Sequence, residues 1–547
     1  MTLFFLCIRQ RRHFDETTGK GYRIRIPDGE NPSPRRLTYG SKPGTRCNAN
    51  NHVTAVKPFE CTSRKGVEYA MNQEWKFKLH SVYGQILFDR KLTQSFEQVK
   101  ANKGAGGIDG DTIESYEVKL EENIMELLNK LRTKTYQAKP VRRVYIPKKN
   151  GKKRPLGIPT IEDRIVQQSV VNILQPKFED NLFHNWSVGY RPNRGVQRAL
   201  QIILWNIEQG YNHIYDCDIK GFFDNIPHKK LIEILKKYVS DRTVLGLIEQ
   251  WLKAGHMEEG KLIHSDYGTP QGGVISPLLA NVYLNELDWE WDLNGIRFVR
   301  YADDFLLFAK TRDDINKAAF LTKNKLTELG LEISKEKTKV VNFHHDDFDF
   351  LGFSFHHWEQ RKNDNKPSFY VTPKKESIKD FRLKIKEKTR KFLTLSKEEW
   401  INRVNPIIRG KVNYYVTIIK AIKANEEHGQ ESNCKTRWMR GILLSLDGYI
   451  RRRLRVAFIH KHPNQRKGMK MNSLWNNAFF LSIKLIPSYW LYLNKAYGYT
   501  KEQYLTDITK TAKRNLKNKI RSAKTKGEEY YTPHRLQKMQ NAWNASS

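Results

Sequence analysis

The spacing of hydrophobic residues changes several times along the chain and predicts a mixture of helices and strands. Between Trp75 and Val99, apolar residues recur every three or four positions, which is typical of amphipathic helices. Residues 141–160 show two short apolar runs around a basic turn that contains Asn150-Gly151, a strong signal for a β-hairpin. Residues 231–238 again show helical spacing. Four further strands are predicted at 214–219, 296–301, 305–309 and 350–355.

The two ends of the chain differ from this pattern. Residues 1–75 are rich in Gly, Pro, Asn, Thr and Arg and lack periodicity, so we expect a basic, disordered extension. A start codon placed too far upstream of Met71 is the alternative. From about residue 375 the pattern is helical and basic, and residues 501–547 form a basic tail. The fold class is therefore α+β over residues 76–360, followed by a helical region at 361–500.

The charge balance limits the classes of partner. The 547 residues include 96 Lys and Arg against 59 Asp and Glu, a formal net charge of +37. Because such a surplus repels itself, we expect a polyanionic partner, with nucleic acid as the first choice and an anionic membrane surface as the second. Aromatic residues make up 12% of the chain, which argues against a wholly disordered basic protein.

Cysteine usage and hydropathy exclude further classes. The five cysteines form no CxxC pair, which argues against a disulfide scaffold and a cysteine zinc site. No apolar run in the sequence reaches the length of about 18 residues that indicates a transmembrane helix. We therefore expect a protein of a reducing, intracellular compartment that does not enter the membrane.

The candidate chemistry lies between two predicted strands, where Asp303 and Asp304 are adjacent in an otherwise apolar hairpin. Two carboxylates about 4 Å apart repel by about 4 kcal/mol at an effective dielectric near 20, so burying them requires compensation. Hard divalent cations with oxygen ligands compensate such charges, and Mg²⁺ is the usual choice beside phosphates. A solvated turn is the structural alternative, since Asp is common in turns.

A third carboxylate follows the strand predicted at 214–219. Asp218 could join Asp303 and Asp304 in a site for two metal ions, which would activate a 3′-hydroxyl and stabilise a leaving pyrophosphate. Asp216 and Asp224 are competing candidates, and Asp216 has the same strand parity as Asp218. Position along the chain leaves these candidates open.

Residues 80–500 resemble a group II intron-encoded reverse transcriptase/maturase, with motifs in the order of that family. Residues 301–304 (Tyr-Ala-Asp-Asp) are similar to its catalytic hairpin, residues 216–226 to its first palm motif, and residues 268–281 are the longest match. The resemblance selects Asp218 as the third metal ligand. It also implies a right-hand polymerase, with fingers and an antiparallel palm sheet at 76–360 and a helical thumb and maturase domain at 361–500.

The resemblance assigns roles to further residues. Lys337 is the favoured proton donor to pyrophosphate, with Lys335 and Lys339 as alternatives. Phe223 is implied to screen the sugar 2′ position. The other residues implied to hold the incoming deoxynucleoside triphosphate are Lys148, Arg154, Gln271 and Gly272. The implied primer grip consists of Phe350, Leu351, Gly352 and Phe353. The implied RNA contacts are Arg409, Lys411, Tyr414, Arg451, Arg452 and Arg453, and for the last three a solubilising role is the alternative.

The expected function is RNA-directed DNA synthesis with two Mg²⁺ ions and deoxynucleoside triphosphates, together with assistance to intron splicing and mobility. The expected partners are intron RNA, an RNA template with a DNA primer, and a DNA target. We expect a cytoplasmic ribonucleoprotein, with an organellar location as the alternative. Two other readings are a splicing cofactor that no longer polymerises and another cellular reverse transcriptase, such as a defence-associated one. The zinc-dependent endonuclease of many relatives is not expected, because only Cys434 follows Cys217.

Overall fold

The computed structural model describes residues 78–147, 151, 153–258, 260–269, 272–360, 366–390, 393, 395–436, 438–461 and 475–507. The predicted extension at 1–75 lies outside the described residues, as do Lys148, Gln271 and the tail from residue 508 onward. Residues 501–507 of that tail are helical. Over the described ranges, no helix has the length and apolar character of a membrane span.

The first part of the described chain is mainly helical and carries a hairpin. Its elements are α1 (Val82–Ile86), α2 (Asp89–Ala101), α3 (Ile113–Val118), α4 (Leu120–Arg132), β1 (Val141–Pro147), β2 (Lys153–Ile158) and α5 (Ile161–Asn181). Strands β1 and β2 pair antiparallel, with Arg142 opposite Ile158, which confirms the predicted hairpin. The helical pattern after Trp75 is divided between α1 and α2, because the backbone leaves the helical region at Leu87 and Phe88.

The middle of the chain forms an antiparallel sheet covered by helices. Its elements are α6 (Val196–Glu208), β3 (His213–Asp218), α7 (Phe222–Asn225), α8 (His228–Tyr238), α9 (Arg242–Lys253), β4 (His256–Glu258), β5 (Lys261–Ile263), α10 (Ser276–Leu293), β6 (Arg297–Tyr301), β7 (Asp304–Ala309), α11 (Arg312–Glu328) and β8 (Lys339–Asn342). The central sheet has the order β6-β7-β3-β8, and each of these pairings is antiparallel. The predicted strands at 214–219, 296–301 and 305–309 and the helix at 231–238 are confirmed.

The last part combines a third sheet with basic helices. Its elements are β9 (Phe348–Phe350), β10 (Phe353–Glu359), β11 (Ser368–Pro373), α12 (Lys375–Lys388), α13 (Lys397–Tyr415), α14 (Thr417–Glu426), β12 (Cys434–Lys435), α15 (Trp438–Lys461), α16 (Asn477–Ser482) and α17 (Ser488–Tyr497). The prediction of one strand at 350–355 is wrong, because the chain turns between β9 and β10. Leu351 and Gly352 both have positive φ, 46° and 75°, as a two-residue hairpin turn requires.

The packing around β7 explains the apolar sequence of the β6–β7 hairpin. Residues 305–309 are all buried, so the strand is covered on both faces and does not alternate between polar and apolar residues. Trp291 of α10 packs against Phe298 of β6 and Phe305 of β7, with ring centroids 4.8 and 4.7 Å apart. The charged end of this hairpin therefore emerges directly from the core.

The C-terminal helices are joined to the central region at α6. Asn425 of α14 donates a hydrogen bond to the Gln201 carbonyl of α6 at 3.1 Å. At the end of α6, Glu208 accepts hydrogen bonds from the Asn433 backbone NH at 2.7 Å, from the Asn433 side chain at 2.8 Å and from Ser432 at 3.2 Å. This polar junction fixes the loop before β12 against the central part of the molecule.

Candidate active site

The register of the central sheet brings the three predicted carboxylates together. Asp218 ends β3 and lies opposite Asp304, which begins β7. Tyr301 pairs with Asp304, so Ala302 and Asp303 form the two-residue turn between β6 and β7. Ala302 has a φ of 61°, the positive value that such a turn demands of its first residue. One strand end and one turn thus place three acidic side chains at the same sheet edge.

The geometry also separates Asp218 from its two competitors. Asp216 lies opposite Leu306, two residues further from the turn, where burial raises its pKa to about 6 and the charge of Lys339 opposes the rise. Asp224 is exposed on the single-turn helix α7. Asp218 is therefore the candidate that continues the Asp303–Asp304 pair.

The charges at this edge are only partly balanced by the protein. Burial raises the pKa of Asp303, and the charge of Asp218 adds to the rise, while Arg154 and Lys337 oppose it. Burial also raises the pKa of Asp304, followed by repulsion from Asp303 and Asp218. Hard carboxylate oxygens suit Mg²⁺. Over the described ranges, no three side chains of His, Cys, Asp or Glu are already arranged as a metal site.

Lys337 is the lysine that the structure places at Asp218. Its Nζ lies 2.8 Å from Asp218 Oδ2, and its side chain is 64% exposed. The Ser334 backbone NH donates to the Asp218 carbonyl at 2.8 Å, which fixes this segment beside β3. Burial lowers the pKa of Lys337, but the hydrogen bond to Asp218 and the charges of Asp218, Asp304 and Asp303 outweigh it, so the net pKa is raised. Lys337 therefore stays protonated next to the acidic cluster.

The structure describes three further residues predicted to bind the nucleotide. Arg154 on β2 acts on Asp303 through its positive charge. Phe223 on α7 is buried, and its carbonyl accepts a hydrogen bond from the Thr269 backbone NH at 2.7 Å. Gly272 has a φ of 125°, and an added Cβ would collide with the carbonyl of Gly157 on β2. The glycine therefore permits a close contact between the 268–281 segment and β2.

Known proteins are similar to this chain over the segment that contains the three carboxylates. Residues 146–355 match the family model described as reverse transcriptase (RNA-dependent DNA polymerase). Protein YkfC of Escherichia coli (strain K12) is 33% identical over 302 residues, which cover 48% of this chain and 79% of that protein. The group II intron-encoded protein LtrA of Lactococcus lactis subsp. cremoris is 43% identical over 197 residues, covering 36% of this chain and 32% of LtrA.

A protein from yeast extends the match along the chain. The uncharacterized 91 kDa protein in cob intron of Schizosaccharomyces pombe is 27% identical over 457 residues, covering 66% of this chain and 55% of that protein. This chain belongs to the group II intron-encoded reverse transcriptase/maturase family. It spans less than two thirds of the length of LtrA and of the yeast protein.

The residues assigned to the primer grip of the family form the β9–β10 hairpin. The side chains of Phe350, Leu351 and Phe353 are buried. Tyr414 of α13 donates a hydrogen bond to the Leu351 carbonyl, and its ring stacks on Phe353 with centroids 5.3 Å apart. An added Cβ at Gly352 would make only an ordinary contact with the Tyr414 hydroxyl, at 3.4 Å, so the positive φ of this residue is what favours glycine.

The residues assigned to RNA binding in the family fall into two groups. Arg409 and Arg452 are exposed. Arg453 instead donates to the Thr389 hydroxyl and carbonyl at 3.2 and 3.1 Å, and so holds the end of α12. Tyr414 is engaged with the hairpin, and Lys411 lies over the rings of Tyr414 and Tyr415. Arg451 is partly exposed. The RNA-binding assignments of all six residues stay predictions.

Sequence reasoning missed the residues that support the Ala302–Asp303 turn. Arg300 and Asp288 form a fully buried ion pair beneath it, and Gly189 lies so close that an added Cβ would collide with the backbone of Tyr301 and Ala302. The sequence contains little signal for this pair, because β6 carries Arg297 as well as Arg300 and α10 carries three other acidic residues besides Asp288.

Proposed function

We propose that this chain is an RNA-directed DNA polymerase that copies RNA into DNA and also assists its intron RNA. The observation that carries the proposal is the convergence of Asp218, Asp303 and Asp304 at one edge of the antiparallel sheet, faced by Lys337 and Arg154. In this proposal the central sheet is the palm of a right-hand polymerase. Helices α1–α5 with strands β1 and β2 belong to the fingers, and the helices after residue 375 form the thumb and maturase region.

Different residues of the chain have different proposed roles in nucleotide addition. Asp218, Asp303 and Asp304 would hold two Mg²⁺ ions, which when bound supply positive charge for the attacking and leaving oxygens. Arg154 binds the triphosphate oxygens, because a guanidinium donates charge-assisted hydrogen bonds to phosphate. Lys148, Gln271 and Gly272 complete the proposed nucleotide contacts. The ring of Phe223 would exclude a 2′-hydroxyl, which would favour deoxynucleotides.

The proposed reaction joins the primer to the α-phosphate. The primer 3′-hydroxyl gives its proton to solvent and its oxygen bonds to the α-phosphorus, while the bond from that phosphorus to the bridging oxygen of the pyrophosphate breaks. Lys337 donates a proton to the departing pyrophosphate, a role that suits an ammonium group kept protonated by neighbouring carboxylates. The β9–β10 turn, with Phe350, Leu351, Gly352 and Phe353, would hold the primer end against this site.

Primer extension tests the polymerase. The purified chain is incubated with an RNA template, a DNA primer, Mg²⁺ and deoxynucleoside triphosphates, beside an Asp303→Asn/Asp304→Asn variant. The matched control is Asp313→Asn, an exposed carboxylate in the first turn of α11. We expect long DNA products from the wild type and the control, and a loss of at least about 10²–10³-fold in the double variant. A folded wild-type protein that makes no product would overturn the proposal.

Intron RNA binding is the second part of the proposed function. The names of LtrA and of the yeast protein refer to introns, and the chain carries a net charge of +37 with exposed Arg409 and Arg452. We propose a ribonucleoprotein in which this surface binds intron RNA and supports splicing and insertion into a DNA target. Affinity for intron RNA should fall steeply with salt, because phosphate contacts release counterions. Tight RNA binding without DNA synthesis would identify a splicing cofactor that does not polymerise.

A further inference from the structure

A buried ion pair lies directly behind the catalytic turn. Arg300 on β6 donates from Nε to Asp288 Oδ1 at 2.6 Å and from Nη2 to Asp288 Oδ2 at 2.5 Å. Both side chains are 0% exposed. The two parallel hydrogen bonds fix the plane of the guanidinium, and this plane determines where its remaining nitrogen points.

The remaining nitrogen of Arg300 reaches the turn itself. Nη1 donates to the Ala302 carbonyl at 3.0 Å and to Asn281 Oδ1 at 3.1 Å. The Ala302 carbonyl belongs to the peptide that links Ala302 to Asp303. Ala302 has a φ of 61°, a left-handed conformation that is unfavourable for a non-glycine residue. The hydrogen bond from Arg300 therefore opposes relaxation of the turn.

Asn281 extends the network to a second segment. Its Nδ2 donates to the Gly189 carbonyl at 2.9 Å, and the Val188 backbone NH donates to the Arg300 carbonyl at 2.9 Å. The next residue, Tyr190, packs its ring against Phe223 with centroids 6.2 Å apart. The same buried arginine is thus connected to the turn that carries Asp303 and to the segment that supports Phe223.

Stability by itself does not explain this arrangement. A buried ion pair gains little over well-packed apolar residues of similar volume, because both charges must leave water. An apolar pair in its place would fill the space but could not donate to the Ala302 carbonyl. The network therefore provides a geometric constraint that hydrophobic packing alone does not offer.

We propose that Arg300, oriented by Asp288 and joined to Gly189 through Asn281, is a positioning residue that holds the Ala302–Asp303 turn in the geometry needed to bind divalent cations. The proposal rests on the proposed function, since it concerns the same carboxylates. It predicts that the network determines metal affinity and turnover, while the binding of template and primer depends on other surfaces.

The test measures metal affinity directly, without relying on catalysis. Binding of Mn²⁺ to the metal-free full chain is followed by electron paramagnetic resonance for the wild type, Arg300→Lys and Asn281→Asp. Lysine keeps the charge but cannot bind Asp288 with two nitrogens and still reach Ala302. Asn281→Asp keeps the acceptor for Arg300 and removes the donor to Gly189. The matched control is Asp447→Asn, which alters a buried carboxylate of α15 that accepts from the Ser488 and Tyr489 backbone NH groups.

We expect Arg300→Lys to weaken Mn²⁺ binding about 10- to 100-fold, as replacement of groups that orient metal ligands generally does. Asn281→Asp should act in the same direction by a smaller factor. In primer extension, the half-saturating Mg²⁺ concentration should rise and kcat should fall, with little change in the Kd for template and primer. Asp447→Asn should lower the thermal midpoint and leave Mn²⁺ affinity unchanged.

Other outcomes would overturn either the positioning role of Arg300 or the proposed polymerase activity. Wild-type Mn²⁺ affinity in folded Arg300→Lys and Asn281→Asp would overturn the positioning role and leave a merely structural pair. If Arg300→Lys fails to fold, Asn281→Asp carries the same decision. A wild-type chain that binds Mn²⁺ but extends no primer would overturn the polymerase, while weaker Mn²⁺ binding in the variants would still support the positioning role. Absence of Mn²⁺ binding by the wild type would overturn the positioning proposal.

Discussion

Asp288 and the Asp303–Asp304 pair show two opposite ways of keeping carboxylates at the edge of a protein core. Asp288 is fully buried, and both of its oxygens accept hydrogen bonds from Arg300. Asp303 and Asp304 are half-buried and face Asp218, so burial and repulsion raise the pKa of both. The protein balances the charge of Asp288 completely, whereas the Asp303–Asp304 pair lacks a full positive counter-charge. Such a deficit is typical of a functional site.

Glu208 provides an intermediate case at the junction between α6 and the C-terminal helices. Its two oxygens accept three hydrogen bonds from Ser432 and Asn433, all from neutral donors. Burial nevertheless raises its pKa, and these hydrogen bonds only oppose the rise. The three sites therefore form a series from a full counter-charge, through neutral donors, to like charges. Substitutions at each site should have effects that follow this series.

The largest effect on stability is expected at Asp288. Asp288→Ala leaves the buried guanidinium of Arg300 without its counter-charge, and breaking a buried pair in this way costs about 3–5 kcal/mol. We expect the urea unfolding transition, followed by tryptophan fluorescence, to move to a much lower midpoint, because Trp291 lies on the same helix three residues away.

A double substitution shows whether the charge or the packing is responsible. In Asp288→Leu/Arg300→Met the buried charges are both gone, and the volume is largely kept. Its unfolding midpoint should lie well above that of Asp288→Ala. Equal midpoints for the two variants would contradict the comparison, since the loss would then come from packing and not from an unpaired charge.

Substitution of Asp304 should raise the stability of the protein, whereas substitution of Asp288 lowers it. Asp304→Asn removes one of the mutually repelling charges, so we expect the metal-free protein to become more stable by about 0.5–2 kcal/mol, a common gain when function has constrained a residue. Thermal unfolding in the presence of EDTA measures this change, and primer extension should be lost in the same variant. Asp313→Asn, on the exposed start of α11, should change neither property. A lower midpoint for Asp304→Asn would show that its charge is compensated after all.

The fold was predictable where local patterns decide it. Apolar runs gave the strands at 214–219, 296–301 and 305–309, and Asn150-Gly151 marked the β1–β2 hairpin. The β9–β10 hairpin was missed because Phe350, Leu351 and Phe353 give one continuous apolar run in which only Gly352 indicates a turn. Periodicity does not report a turn whose side chains are themselves buried.

The clustering of the three carboxylates was predictable from the sequence, and the residues that support them were not. Adjacent carboxylates in an apolar hairpin repel each other in any fold, so the sequence alone predicts that their charges need compensation. Strand parity could not separate Asp216 from Asp218, whereas the pairing with Asp304 does so at once. The contacts among Arg300, Asp288 and Asn281 join a strand and a helix through side-chain geometry, and a single sequence records residue types without recording which of them meet.

The smallest effect, and the one that depends on pH, is expected at Glu208. Because burial raises its folded-state pKa above the ordinary value of 4.5, the folded protein holds this proton more strongly than the unfolded chain does. The resulting stabilisation is fully present below that ordinary value and is lost as the pH rises through the folded-state pKa. Glu208→Gln, which stays neutral, should therefore gain in thermal midpoint relative to the wild type as the pH rises from about 4 to 7.

The dependence on pH separates this effect from altered hydrogen bonding. The glutamine amide faces the Asn433 side-chain amide, so the variant loses one hydrogen bond, but that loss shifts its midpoint by the same amount at every pH. The matched control is Glu431→Gln, an exposed carboxylate in the same loop. Its midpoint should run parallel to that of the wild type across the range. Parallel curves for Glu208→Gln as well would mean that neutral donors compensate a buried carboxylate as fully as Arg300 compensates Asp288, and the series of three sites would lose its middle member.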